Sequence, residues 1–515
     1  MTMNPVDTLD AGALERPNDT AFFWKGETWT YARLQGDVNF VAAYLSNKGI
    51  DIHDRIALHL PNSPHLLICL LACFRLGAVA VPINNRFKAQ ELTSVFQRVE
   101  PRYYIGSKAF ESEILRVGET LIPANSRLIF STISEFDREA WQSPAVDSSD
   151  MIRGRRSSPD DVMLLLPTSG TTGDPKVVIH TAKTLSAVTK QYQALGLQDD
   201  DIMLTASPIV HAGGLFNFLS SLRRTGPMVM LGAFDAHSVL DEIEARRCTW
   251  FKGLPFMFDQ LARAQTERYR DTSSLRLCVS SGDVCSAKVQ QDFLDLFGCP
   301  LSSAWACTEA ATSLAICPKD NVAFLGSPSG RYRITDETGL AVPRTQPGEL
   351  WVEGPNVSPG YWISPSEIER HAQGWFRTGD IMSEGNDGAL RFFGRQKNLI
   401  IKGGSNISPV EVETAIRAHP DVQDAAVFGI PDEQLGETLG ALIEAVDVQS
   451  FPGVADILQA TRHRISDYKV PDHAIAVGQI PRAANGKIDR KSLLEIFYRE
   501  TANSVRPATK IGHSR

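Results

Sequence analysis

Between residues 40 and 83 the apolar positions change period several times. A helical stretch, FVAAYLSNKGI, gives way to a short apolar strand, RIALHL; a second helical stretch, PHLLICLLACFRLG, is followed by the strand AVAVPI. Periods near 3.6 alternating with short continuous apolar runs predict βαβ units. The same alternation returns at 202–206, 237–246, 250–253, 256–265 and 275–280. It predicts a large doubly wound α/β body, in which ligands bind beyond the C-terminal ends of the strands.

From about Gly348 the texture shortens to strand-like pieces, GELWVEG and ALRFFG, separated by Gly, Pro and Asp. That pattern predicts a β-rich subdomain within the large N-terminal body. Past Arg395 a compact α+β pattern begins. Ser408 reads as a helix N-cap, with Pro409 at the first helical position and Glu411 spaced for a capping box. Strands DAAVFGI and GALIEAV, a helix over 457–465, the strand HAIAV, an Asn485-Gly486 turn and a last helix over 490–498 complete it. The expected organisation is a domain over 1–395, a small domain over 396–500 joined near Gly394 to Lys397, and a flexible tail over 501–515.

Composition narrows the class. The chain has 515 residues, 43% hydrophobic and 22% charged, with 38 Gly and 29 Pro, which excludes collagen-like and wholly disordered chains. Its 52 Lys and Arg against 60 Asp and Glu give a net charge of −8, so it is not a bulk electrostatic binder of nucleic acid. The eight cysteines are dispersed, with no CxxC pair and no His partner at zinc spacing, and read as reduced, buried thiols. The start, MTMNPVDTLDAGALERP, is acidic where a signal peptide is basic, and the longest apolar run, 66–74, is far short of the ~18 to 20 residues that span a bilayer. A cytoplasmic protein without a membrane span is expected.

The first chemical signal is LLLPTSGTTGDPKVVI, a glycine and hydroxyl loop between two apolar strands. Gly170 and Gly173 let backbone N–H groups approach oxyanions, Thr168, Ser169, Thr171 and Thr172 add hydroxyl donors, and Lys176 supplies charge. The spacing is not that of a Walker A loop. Further on stand five more strings: Pro208-Ile-Val-His211; Trp305-Ala-Cys-Thr308-Glu309; Trp375-Phe-Arg-Thr378-Gly-Asp380; Gly394-Arg395-Gln-Lys397 with Lys402-Gly-Gly404; and Pro481-Arg-Ala-Ala-Asn-Gly-Lys487. Alone, each has a bland meaning. Thr-Glu opens a helix, Thr-Gly-Asp makes a turn, Lys487 decorates a hairpin, and His211 is a structural histidine.

Six such strings in order over the whole chain resemble the adenylate-forming superfamily of acyl-CoA synthetases, adenylation domains and luciferases. The resemblance implies the roles. Lys487 bridges the carboxylate and the α-phosphate, Thr308 touches that phosphate, and Glu309 holds Mg2+ with the phosphates of ATP. Asp380, with Arg395, takes the ribose; Trp305, where the family usually has Tyr, stacks on adenine; Asp283 accepts from the adenine amino group. Lys397 is the hinge about which the small domain turns, Gly403 and Gly404 line the CoA tunnel, and His211 gates it. Two departures bear on the acid site. Val177 replaces the glycine usual after the loop lysine, which would shift the following strand, and Ala306 replaces a glycine near the acid.

The resemblance implies an AMP-forming acid-CoA ligase that uses ATP, Mg2+ and CoA, acting as a monomer or homodimer on a small carboxylic acid. Its rivals are a stand-alone adenylating enzyme that loads a carrier protein or an amine, and a luciferase-like oxygenase. Phe216, Phe218, Ala310 and Ala311, with no second cation in view to hold a dicarboxylate, suggest an apolar or aromatic acid.

Overall fold

Local sequence decides where the buried helices start and stop. Ser63 caps the helix Pro64–Leu76, its Oγ accepting from Leu66 N at 3.4 Å; Pro64 takes a position whose N–H has no helical partner, and Gly77 ends the helix at φ +73°. The helix is buried on nearly every side because strands 55–59 and 79–82 and the helices Pro5–Glu15 and Tyr31–Asn47 surround it. The helix expected over 40–50 begins earlier, at Tyr31, where Thr30 Oγ1 accepts from Arg33 N at 3.2 Å. Polar residues hid its first half. Tyr31, Leu34, Val38 and Val41 still face inward, and the buried Asp37 is satisfied by Trp29 Nε1 at 3.2 Å.

The computed structural model describes residues 4–131, 141, 158–168, 175–310, 314–317, 322–323, 331–386, 388, 390–447, 451–482 and 487–504. The protein is mixed α/β, with a large N-terminal body and a smaller C-terminal domain. It divides into two compact units, the first Met1–Cys285, Val289–Arg333 and Trp351–Arg377, the second Ile334–Leu350 and Thr378–Arg515 with Ser286–Lys288.

The first unit is built on two sheets. One has the order 367–370, 360–364, 176–181, 162–168, 79–82, 55–59, 103–107, 127–130; the run from 162–168 to 127–130 is parallel, and three antiparallel pairings close its other end. The other has the order 314–317, 301–305, 277–281, 250–253, 203–205, 228–230, 20–24, 27–30, parallel except at its two edges. Parallel strands covered on both faces need continuous apolar runs, and the cores around Ala57, Val81, Leu165 and Ile179 and around Leu204, Phe251, Phe258 and Cys278 supply them. Each fully buried side chain of that size contributes about 1.5–3 kcal/mol.

The second unit carries the sheet 405–407, 400–402, 436–445, 422–432, with 473–477 parallel to 436–445. The helices Pro409–Arg417, Val454–Arg462 and Leu493–Ser504 belong to the same unit. Ser408 caps the first of them, accepting from Glu411 N at 3.1 Å. The expected capping box is not completed, because the Glu411 carboxylate instead accepts from Lys469 Nζ at 2.7 Å. The last helix begins after Arg490 and continues to Ser504, four-residue bonding holding Thr501 Oγ1 on Phe497 O at 2.8 Å where a frayed tail was expected. Val177, fully buried, pairs in register with Pro167 and packs in the core.

His59 and His180 are sealed inside the first unit. His59 stacks on Phe110 and its Nδ1 lies 3.1 Å from Tyr104 Oη, while His180 meets Phe216 edge-on. Burial pulls their pKa values down to about 3 and about 4, from an ordinary 6.5. Both stay neutral in the folded protein, whereas the unfolded chain takes up their protons below pH 6.5. Stability is therefore expected to fall as pH drops from 6.5 towards 4, by about 1.4 kcal/mol per pH unit for each histidine. Urea unfolding of the wild type and of His59→Gln across that range checks this, the variant showing the shallower slope.

Candidate active site

The antiparallel pair 162–168 and 176–181 sets Thr168 opposite Lys176, and the Thr168 hydroxyl donates to Lys176 O at 3.2 Å. Ser169, Gly170, Thr171, Thr172 and Gly173 of the loop between them lie outside the described residues. On the other side of 176–181, the strand 360–364 pairs at Tyr361 with Val178. That register puts the Lys176 ammonium over the Tyr361 ring, 4.5 Å from its centroid.

Tyr361 carries the next link, since its hydroxyl donates to Glu309 Oε1 at 2.8 Å. Burial first, and the Glu309 carboxylate second, push the Tyr361 phenol well above its ordinary range, so it remains a donor. The stretch 356–361 also grips the backbone around Glu309: Ser358 N donates to Glu309 O at 2.7 Å, and Asn356 Nδ2 to Ala310 O at 3.0 Å. Gly360 permits the turn. Its φ is +150°, and a methyl group there would collide with the Glu369 carbonyl. His371 packs beside Tyr361 and Phe376 and is kept neutral by burial, helped by the charge of Lys176, with its pKa lowered to about 4. Sequence reasoning missed Tyr361, Ser358 and Asn356, although the string Asn-Val-Ser-Pro-Gly-Tyr carries a turn signal beside a polar aromatic.

The other candidates of this unit stand at the C-terminal ends of parallel strands. Trp305, half-buried, closes the strand 301–305; Thr308 follows it, half-buried, with its backbone near the buried His180 ring. Asp283 is exposed and accepts from Val284 N at 2.9 Å. His211 is the half-buried N-cap of the helix Ala212–Arg223, and its side chain makes no capping bond. Phe216, Phe218 and Ala310 are buried, and Ala311 lies outside the described residues.

In the second unit Gly379, at φ +68°, bends the chain so that Thr378 Oγ1 donates to Leu350 O at 2.8 Å and accepts from Asp380 N at 3.0 Å. Asp380 is 2% exposed, and Arg395, its partner across the strand pair, places Nε 3.0 Å from Oδ1 without the alignment of a hydrogen bond. Lys397 is exposed on the 3-10 turn Gln396–Asn398. Gly403 and Gly404, at φ +56° and +80°, form the two-residue turn between Lys402 and Ser405, and the space beside the Gly404 α-carbon is open.

Lys487 is half-buried, and the segment that carries it is tied at both ends. Before it, Arg482 pairs with Asp424, which also meets Arg417 Nε at 2.6 Å. After it, Arg490 Nη2 donates to both oxygens of Glu413, at 2.9 and 3.1 Å. Glu413 is 2% exposed and also accepts from Val427 N at 2.9 Å. The sequence assigned no role to any of these clamp residues, although Arg482 lies within the Lys487 string.

Glu309 is the residue that fits a magnesium ion. Oε1 is held by Tyr361, and Oε2 has no partner among the described residues. No group of three or more His, Cys, Asp or Glu among the described residues is placed to hold a metal; magnesium takes one or two carboxylates plus phosphate oxygens and waters.

Residues 9–362 match the AMP-binding enzyme family, and residues 411–487 match the AMP-binding enzyme C-terminal domain. Feruloyl-CoA synthase of an Amycolatopsis species is 32% identical over 482 residues, covering 92% of this chain and 94% of that protein. Indoleacetate-CoA ligase of Aromatoleum aromaticum is 29% identical over 518 residues, covering 97% and 99%. Among solved structures, ATP-bound MatB from Rhodopseudomonas palustris superposes with a TM-score of 0.85 at 27% identity, covering 97% of this chain and 100% of that one. The o-succinylbenzoate CoA synthetase of Bacillus subtilis, in complex with its acyl-adenylate, gives 0.81 at 25%, covering 94% and 97%. The chain belongs to the AMP-binding enzyme family, within the adenylate-forming superfamily. It is an AMP-forming acid-CoA ligase, an acid-thiol ligase that uses ATP, with CoA as co-substrate. No described helix is long and apolar enough to cross a membrane.

Two substitutions test the positioning contacts. Tyr361→Phe leaves Glu309 without its donor and is expected to raise the magnesium concentration for half-maximal acid-dependent pyrophosphate exchange about 10-fold, read by magnesium titration at saturating ATP. Glu413→Gln leaves Arg490 without its counter-ion and is expected to cost about 3–5 kcal/mol in urea unfolding. At a temperature where the variant is folded, acid-dependent exchange is expected to fall more than thioester formation from supplied acyl-AMP.

Proposed function

We propose that this ligase activates a carboxylic acid with an apolar or aromatic body, in two half-reactions that use one site in turn. In the first, a carboxylate oxygen attacks the α-phosphorus of ATP, the bond to pyrophosphate breaks, and acyl-AMP forms. In the second, the CoA thiolate attacks the acyl carbon and AMP leaves with the electron pair of the C–O bond. A carboxylate alone would have to expel oxide; AMP is the better leaving group.

The obstacle in the first step is that two anions must meet, so catalysis is positioning and charge screening. The observation that carries the proposal is Glu309 fixed by Tyr361 beside Lys176, an oxygen ligand and a cation locked into one frame. Glu309 would hold the magnesium ion that neutralises phosphate charge. Lys176 and the hydroxyls of Thr168, Ser169, Thr171 and Thr172 would face the phosphates, with Thr308 on the α-phosphate. The buried carboxylate of Asp380, with Arg395, suits ribose hydroxyls; Trp305 would stack on adenine, and Asp283 would take its amino group.

Lys487 bridges the two anions in the first step, on this reading, and residues 396–500 then turn about Lys397. The open turn at Gly403 and Gly404 would meet the pantetheine of CoA, and His211 would gate its channel. Feruloyl, indoleacetate and medium-chain fatty-acid CoA ligases among the relatives, together with buried Phe216 and Phe218, support the apolar or aromatic body. Buried thiols such as Cys69 and Cys73 suit a reducing cytoplasm, and the unit of action is a monomer or homodimer.

Lys487→Ala is expected to abolish acid-dependent pyrophosphate exchange while largely sparing thioester formation from supplied acyl-AMP; equal loss of both would overturn the assignment. Lys397→Pro is expected to do the reverse, because proline restricts φ at the pivot. Supplying free CoA or a phosphopantetheinylated carrier protein as acceptor separates the ligase from a carrier-loading enzyme.

A further inference from the structure

The parallel strands 203–205, 250–253, 277–281 and 301–305 lead into the loops of Ser207 to His211, Asp283, and Thr308 with Glu309. Lys252 is the last residue but one of its strand. The register sets it beside Val279, and Val279 beside Ser302. It therefore lies at the edge of the sheet where ligands of such folds bind.

Lys252 is 5% exposed. Its Nζ donates to Tyr192 Oη at 3.2 Å; Tyr192 donates to Asn217 Oδ1 at 2.9 Å, and Asn217 Nδ2 donates to Thr205 Oγ1 at 3.3 Å. Every link in this chain is neutral except the first. No carboxylate among the described residues faces the ammonium, and only one of its three N–H groups has a hydrogen-bond acceptor among them. Two other guanidinium groups with little exposure do meet carboxylates: Arg270 meets Asp241, and Arg417 meets Asp424. A buried ammonium without a counter-ion is costly, so such a group is kept where an anion arrives.

The helix Ala212–Arg223 carries both Asn217 of this network and Phe216, whose ring meets the buried His180. On that helix the polar network and a residue proposed for the acid site are neighbours in sequence. Desolvation lowers the Lys252 pKa to about 8, which leaves the group mostly protonated at pH 7 and ready to gain from an incoming negative charge.

We propose that Lys252 anchors a second carboxylate at the far end of the acid, making the substrate class acids with an apolar or aromatic body that ends in a second anionic group. The inference rests on the ligase reading and sharpens its acid. The absence of a second cation, expected from the sequence, does not hold: Lys252 was hidden in the apolar strand Trp-Phe-Lys-Gly.

Matched pairs test it: octanedioate against octanoate, and 4-carboxycinnamate against 4-methylcinnamate, with kcat/KM read by pyrophosphate release in the presence of CoA. The wild type is expected to favour the diacid of at least one pair by about 10-fold or more. Lys252→Met, which removes the charge at similar volume, is expected to cost that diacid about 100-fold while changing its monoacid less than about threefold. Tyr192→Phe, which keeps the ammonium, is expected to retain the preference, and thermal unfolding verifies that both variants are folded. A wild type that prefers the monoacids, or a Lys252→Met ratio equal to that of the wild type, overturns the inference alone. Activity on none of the four acids overturns it together with the proposed apolar or aromatic acid.

Discussion

The register between strands 162–168 and 176–181 is the constraint from which the first unit's site follows. It fixes Lys176 at the mouth of the loop, and the neighbouring pairing at Val178 brings Tyr361 beneath it. Tyr361 then orients Glu309, whose backbone is held by Ser358. Slipping one strand by a single residue would turn every side chain to the opposite face and dismantle the set at once. The core guards against that slip, because moving the strand 176–181 would take Val177 and Ile179 out of it.

The second unit solves its positioning problem with charge. Among the described residues around Lys487, Arg482 and Ile488 share an isolated bridge, and Asp424 and Glu413 hold Arg482 and Arg490. Buried carboxylates that accept from several donors are expensive to assemble and rigid once assembled. Register fixes the residues proposed for phosphate and metal, while ion pairs fix the lysine proposed to move.

Much of this was legible in the sequence, for identifiable reasons. Continuous apolar runs gave the parallel strands, the periodic run from Pro64 to Gly77 gave a helix, and the glycine and hydroxyl loop announced a phosphate site. Elements whose inward positions are polar escaped, as in the first half of 31–47, where Asp37 is buried against Trp29. Partners that act across the fold escaped as well. Tyr361 and Glu309 are separated by 52 positions and Arg490 and Glu413 by 77, and no local pattern ties such residues together. Lys252 shows the same limit, since a charge within an apolar strand has no meaning until its neighbours are known.

The double tether of the Lys487 segment has a consequence for engineering. Asp424, Glu413, Arg417, Arg482 and Arg490 all belong to the same unit, so a graft spanning 409–490 would travel with its own scaffold. Phe216 and Lys252, the residues proposed to select the acid, would stay behind in the host. A cassette exchange between related ligases could thus alter how the lysine is presented without altering which acid is chosen, and the two properties could be tuned separately.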